Sequence, residues 1–242
     1  MEESDQPLIN EKQNQMLEMS IKEEIYSYIR KGFIHKVYSL LFVQLFLTFG
    51  FVVLANETKA LKIFIMSHSI LCLLIDFIPL IIAIFFLIKP EATKKVPLNY
   101  ILLFIFSMSF GYTISYFILK FSKYSVYFTM MLTLIIVLVL SVYAFVTKND
   151  FTMLGGILYT CLIMLIIASF LIYFFRLRIL VGILNILGLI LFTVYLIYDT
   201  QLIVGNKKRR LSEDDYILGV MILYLDIINI FIYLLQICGR KS

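Results

Sequence analysis

The chain has 242 residues, 62% of them apolar and only 15% charged, against roughly 45–50% and about 25% in soluble globular proteins. So few charges cannot cover so much apolar surface. A soluble, disordered, fibrous or nucleic-acid-binding protein is therefore excluded, and the chain reads as a polytopic membrane protein. The net charge of +5 needs no acidic partner, because basic residues flanking spans on the cytosolic side produce it.

Residues 1–36 mix Glu, Lys, Gln and Asn and lack the apolar core and cleavage site of a secretory signal. They are expected to form a cytosolic N-terminal segment, with insertion beginning at the first span. A span needs about 20 mostly apolar residues to cross ~30 Å of hydrocarbon. Seven stretches meet that length: 37–55, 63–88, 96–119, 124–147, 151–175, 179–198 and 216–239. The second is long enough to tilt or to begin with an interfacial turn near His68. Asp150 is placed to cap the fifth span, and Ser212, with an acid three positions on at Asp215, to cap the last. Continuous apolar runs exclude a closed β-barrel, whose strands alternate, so helices satisfy the backbone. The expected fold is all-α: one bundle of seven helices over 37–239 with a short tail at 240–242.

Lys and Arg counts set the orientation. The N-terminal segment and the loops after spans two, four and six hold thirteen, and the intervening loops hold six. That difference makes the N-terminus cytosolic. Charge alone leaves the last helix either crossing fully or re-entrant.

Cys72, Cys161 and Cys238 lie inside apolar runs without paired spacing, which supports neither a disulfide framework nor a zinc site. The two histidines, His35 and His68, have no nucleophile motif nearby, which argues against a Ser-His-Asp hydrolase. His35 belongs to a basic membrane surface with Arg30, Lys31 and Lys36, and His68 to the outer end of a span. No cofactor is expected.

Three carboxylates fall inside the spans: Asp76, Asp199 and Asp226. An intramembrane carboxylate costs roughly 2.5–3.5 kcal/mol on insertion scales, so it needs a partner or a task. No Lys or Arg lies in the same runs. Tyr198 beside Asp199, and Asn229 one turn beyond Asp226, can hydrogen-bond a carboxylate without cancelling its charge. Because neither charge can face lipid, the last helix is expected to be central, with Asp199 and Asp226 in contact. Such a pair titrates as a unit. It shares a proton, or it holds a hard cation such as calcium through oxygen. A protonated pair that only locks two helices together is the alternative.

Tyr198-Asp199-Thr-Gln and Leu223-Tyr-Leu-Asp226-Ile-Ile-Asn229 resemble the signature of the Bax inhibitor family, also called the lifeguard family. Residues 30–38, running from Arg30 to Tyr38 with Gln44 following, are similar to the start of that family's first span. Pro97-Leu-Asn99 resembles the start of its third span and Lys148-Asn-Asp-Phe151 the start of its fifth. Leu211-Ser-Glu-Asp-Asp-Tyr216 is similar to the start of the last helix in the Golgi anti-apoptotic branch.

The resemblance implies a calcium-permeable, pH-sensitive cation leak in Golgi or endoplasmic reticulum membranes. It would lower store calcium and inhibit apoptosis, with Asp199 and Asp226 as ion pathway and gate and calcium bound transiently. It further implies a selectivity role for Asp214, and membrane protein partners in cell-death pathways. Arg178 stands where close relatives carry an acid at the entrance to the sixth span, with Arg176 nearby. Arginine there would repel calcium at a luminal entrance. Some bacterial relatives place an arginine in span two that pairs with the aspartates. This span has only Asp76, which argues against locking by a salt bridge. The basic run 207–210 reads as a cytosolic flank, or else as an anionic-lipid contact.

Other classes fit less well. An intramembrane aspartyl protease needs Gly-x-Gly-Asp, and Leu223-Tyr-Leu precedes Asp226. A seven-helix receptor wants Asn-Pro-x-x-Tyr in the last span, which has no proline. The chain is thus read as a non-enzyme. A non-conducting modulator of cell death is the remaining rival.

Overall fold

A computed structural model describes residues 6–205 and 209–241, with side chains from residue 14 onward apart from that of Arg178. The described elements are α1 (Gln6–Glu57), α2 (Lys59–Ser67), α3 (Ser69–Ile88), α4 (Leu98–Ile118), α5 (Lys123–Val146), α6 (Gly155–Phe174), α7 (Arg178–Val204) and α8 (Tyr216–Cys238). Seven of these are long and apolar enough to cross a membrane. Helices of 20 to 27 residues are ~30–40 Å long at 1.5 Å per residue, enough to cross the hydrocarbon core. Among the described residues the only extended pairing is a single bridge between Phe121 and Lys241. The fold is therefore an all-α polytopic bundle.

Two boundaries differ from the sequence reading. The first helix runs continuously from Gln6, well before the first span. Glu, Lys, Gln and Met are good helix formers, so the apolar part carries the helix onward into its polar flank. The second predicted span breaks at His68 into the nine-residue α2 and the twenty-residue α3. Its break falls where an interfacial turn was expected.

The caps divide likewise. Asp150 accepts from the Thr152 amide at 3.0 Å and the Thr152 hydroxyl at 2.5 Å, opening the 3-10 turn that leads into α6. Ser212 does not cap α8. Its carbonyl accepts from the Asp215 amide at 3.0 Å in a turn, and α8 starts at Tyr216 without a side-chain cap. Arg30 holds the Leu211 carbonyl at 2.6 Å and the Glu213 carboxylate at 3.0 Å on either side of Ser212, and Asp215, the acid of the expected box, lies 3.9 Å from Lys94.

α8 is the centre of the bundle. Ile227, Ile228, Ile230 and Phe231 are each 3% exposed or less. Neighbouring helical positions point ~100° apart, so burial of such a run requires cover on every side. α1, α4, α5 and α7 supply it. The outer helices instead expose Leu87, Val142 and Ile179. That would be a liability in water and is the expected surface in lipid.

Contacts at the two ends settle the path of α8. On the near side, Arg30 of α1 reaches the α7–α8 connection. On the far side, Glu57 at the end of α1 meets Lys123 at 2.8 Å at the start of α5. The C-terminal tail joins that far side: the Ser122 amide donates to the Arg240 carbonyl at 2.8 Å, and the Arg240 amide to the Ser125 hydroxyl at 3.0 Å. α8 thus crosses the bundle completely and is not re-entrant.

Candidate functional site

α7 and α8 form the most extensive helix pair of the bundle, and their seam carries the two aspartates. Asp199, in the last turns of α7, and Asp226, in the middle of α8, are 7% and 4% exposed. Their carboxyl groups lie within hydrogen-bonding reach of one another. Among the described residues no ion pair includes either group. Asp226 Oδ2 is buried with no hydrogen-bond partner. Two full charges ~4 Å apart repel by about 4 kcal/mol even at an effective dielectric of 20. A proton or a cation between the carboxylates removes that repulsion.

The surroundings are polar on one side and sealed on the other. Tyr195, one turn before Asp199, lies beside both carboxylates, and Thr200 and Gln201 are fully buried next to Asp199. Gln201 ties the end of α7 to the α5–α6 connection, donating to the Asn149 carbonyl at 2.9 Å and accepting from the Phe151 amide at 2.8 Å. Tyr224 of α8 shares a hydrogen bond with Thr48 of α1 at 2.8 Å. Two turns beyond Asp226, Tyr233 stacks on Phe192 at 5.9 Å and covers Gly188 of α7. A Cβ at Gly188 would enter that ring, so glycine is what lets the tyrosine close the far end of the seam.

The other predicted residues are not gathered at the pair. Tyr198 points toward α6, its hydroxyl 2.7 Å from where a Cβ at Gly155 would stand. Asn229 donates to the Leu225 carbonyl of its own helix at 2.8 Å. Asp214 sits exposed at the near surface, 3.5 Å from Lys94. Asp76 accepts from the Thr113 hydroxyl at 2.6 Å in an open groove between α3 and α4. Of the run 207–210, residues 207 and 208 lie outside the described residues, and Arg210 stacks on Tyr26 at 4.6 Å. Among the described residues no cluster of three or more His, Cys, Asp or Glu groups could hold a resident metal. Calcium, if passed, is cargo.

Sequence reasoning missed Arg30 as a tie between distant segments. It is 4% exposed, and its guanidinium donates to the carbonyls of Leu202 at 2.6 Å, Val204 at 3.2 Å and Leu211 at 2.6 Å. It also pairs with Glu213 at 3.0 Å. Gly205 completes the arrangement with φ 74°, the left-handed cap that ends α7. A Cβ there would run into the guanidinium. Arg30 therefore locks the α7–α8 connection, with its contacts at Leu202 and Val204 about one turn beyond Asp199. The signal available in sequence was Gly205 itself, a helix-ending glycine just before a basic run.

The site and fold together define a polytopic helical membrane protein whose last two helices bury a carboxylate pair with no basic partner among the described residues. The chain matches the Bax1-I family, inhibitor of apoptosis-promoting Bax1, over residues 30–242, and it belongs to that family. It is 30% identical over 219 residues to protein lifeguard 3 of Homo sapiens, covering 88% of this chain and 70% of that protein. Protein lifeguard 3 of Mus musculus is 28% identical over 218 residues, covering 88% and 71%. Bax inhibitor 1 of Schizosaccharomyces pombe is 33% identical over 216 residues, covering 87% and 77%.

Proposed function

We propose that the protein is a calcium-permeable cation leak gated by the Asp199–Asp226 pair, that it lowers store calcium, and that it restrains apoptosis in this way. Its action is transport and not catalysis. The observation that carries the reading is the burial of two touching carboxylates with no basic partner among the described residues. One shared proton leaves a single negative charge and joins α7 to α8 by a charge-assisted hydrogen bond. Loss of that proton creates repulsion, drives the helices apart and offers oxygen ligands to a hard cation. Asp226 Oδ2, buried with no donor among the described residues, is an oxygen that the shared proton or an entering cation would satisfy.

The Golgi membrane is the proposed location, with the endoplasmic reticulum as the alternative. Support comes from the resemblance of residues 211–216 to the Golgi branch. The excess of Lys and Arg on the near side supports a cytosolic N-terminus. Asp214, at that cytosolic surface beside Lys94, would act on ions only after they leave the seam.

Purified protein in calcium-loaded vesicles tests the reading. Efflux above that of protein-free vesicles, reduced by Asp226→Asn at matched protein content, is the expected result. No efflux from correctly folded wild-type protein would overturn it and would favour a non-conducting modulator acting through protein partners.

A further inference from the structure

The connection between α6 and α7 ends α6 in a Schellman turn. The Leu177 amide donates to the Ile172 carbonyl at 3.0 Å and the Arg176 amide to the Tyr173 carbonyl at 3.3 Å. This motif puts its next residue in the left-handed region, where glycine is usual. Here that residue is Arg176, at φ 53°. A non-glycine residue there is strained, and the turn would form more readily with glycine. Arg176 overlooks a cavity of about 670 Å³ between α6, α7 and α8 at the far surface.

The lining of this cavity is chemically one-sided. Asn185, Gln236 and the Tyr233 ring supply its polar inner wall, and Ile172, Val181 and Leu184 an apolar one. Among the described residues Arg176 is the only charged one that lines it, and no ion pair among them includes Arg176. Asn185 is 6% exposed. Its side chain lines the cavity, and its amide is not among the buried, unpartnered groups, so it is open to a ligand there. Gln236, half-buried, lines the same wall. A guanidinium and two amide N–H donors around a space with no acid suit an oxyanion and would repel a cation. The space opens where phospholipid headgroups lie, and its apolar wall suits the glycerol and the first acyl carbons.

We propose that this cavity binds a phosphate oxyanion, carried by a phospholipid headgroup and held by Arg176, Asn185 and Gln236. Tyr233 on Gly188 separates it from the carboxylate pair, so the site stands whether or not the pair conducts calcium. The test is native mass spectrometry on the purified full-length protein with phosphatidic acid, with diacylglycerol of the same acyl chains, and with inorganic phosphate as competitor. Phosphatidic acid is expected to be retained one to one and diacylglycerol not. Arg176→Gly should lower retention by about tenfold or more, as expected for loss of a charged hydrogen bond. That variant suits the left-handed turn, so its folding is secure. Asn185→Ala should weaken retention too. Competition by inorganic phosphate would make the free anion a sufficient ligand, and its absence would assign the site to the lipid. Wild-type retention of phosphatidic acid by Arg176→Gly, or equal retention of diacylglycerol, would overturn the proposal.

Discussion

Replacing Arg30 by alanine should be among the most damaging single changes outside the transmembrane core. The side chain is almost fully buried and donates to three backbone carbonyls and a carboxylate; of these, the Leu202 carbonyl also accepts from the Leu211 amide at 3.0 Å. Its phenyl neighbour Phe33 lies 4.7 Å below the guanidinium, adding a cation–π contact of about 0.5–1 kcal/mol or more. Removing one partner of a buried charge pair costs roughly 3–5 kcal/mol, because the other groups stay desolvated and unpaired. The Val204 and Leu211 carbonyls, left without the Arg30 donor, put this site toward the low end of that range, given the partial exposure of Glu213. Unfolding in mixed detergent micelles, followed by helical signal, measures the loss. Lys31→Ala, next in sequence and exposed, is the control and should stay within about 0.5 kcal/mol. A loss below about 1 kcal/mol for Arg30→Ala would refute the assignment of Arg30 as the lock on the α7–α8 connection.

Related perturbations probe the same lock and the seam beside it. Gly205→Ala should lower stability by about 1–2 kcal/mol from the left-handed φ alone, and more through the displaced guanidinium; equal stability in the micelle assay would contradict the geometry. Burial raises the Glu213 carboxyl, but its backbone hydrogen bond and Arg30 outweigh that and hold it below its usual range. The folded value is the lower one, so the contribution is complete above the unfolded value and fades as pH falls through the folded one. Glu213→Gln should remove this acid-side slope, which a stability titration detects. Gly188→Ala forces the Tyr233 ring from its seat and should loosen the α7–α8 seam, read as faster hydrogen exchange in α8; unchanged exchange would mean that the ring has room to move.

The spans and the carboxylate pair were legible because both follow from rules that act locally in sequence. Apolar run length reports the cost of exposing backbone to lipid, and an acid inside such a run is costly wherever it faces. Centrality of α8 followed from those two facts together. Arg30 was not legible, since a basic residue before a first span has an ordinary reading as a cytosolic flank. Its true partners lie more than 170 positions away, and no local pattern encodes them. Ser212 failed as a cap where distant residues act on its neighbours: Arg30 holds the Leu211 carbonyl and Glu213, and Lys94 lies beside Asp215. Tyr198 and Asn229 were adjacent to the aspartates in sequence, yet helical geometry sends Tyr198 to α6 and leaves Asn229 bonded to its own backbone. Tyr195, four positions before Asp199, is the neighbour that a helical spacing would have chosen.

The most direct test of the gating account is the pH profile of calcium efflux from vesicles holding equal amounts of wild type, Asp199→Asn and Asp226→Asn. A shared proton predicts that wild-type efflux varies with pH as a coupled pair titrates. It also predicts that Asp226→Asn weakens efflux and that Asp199→Asn changes the pH response more than the protein level. Efflux and pH response unchanged in both variants would mean that the pair only fastens α7 to α8.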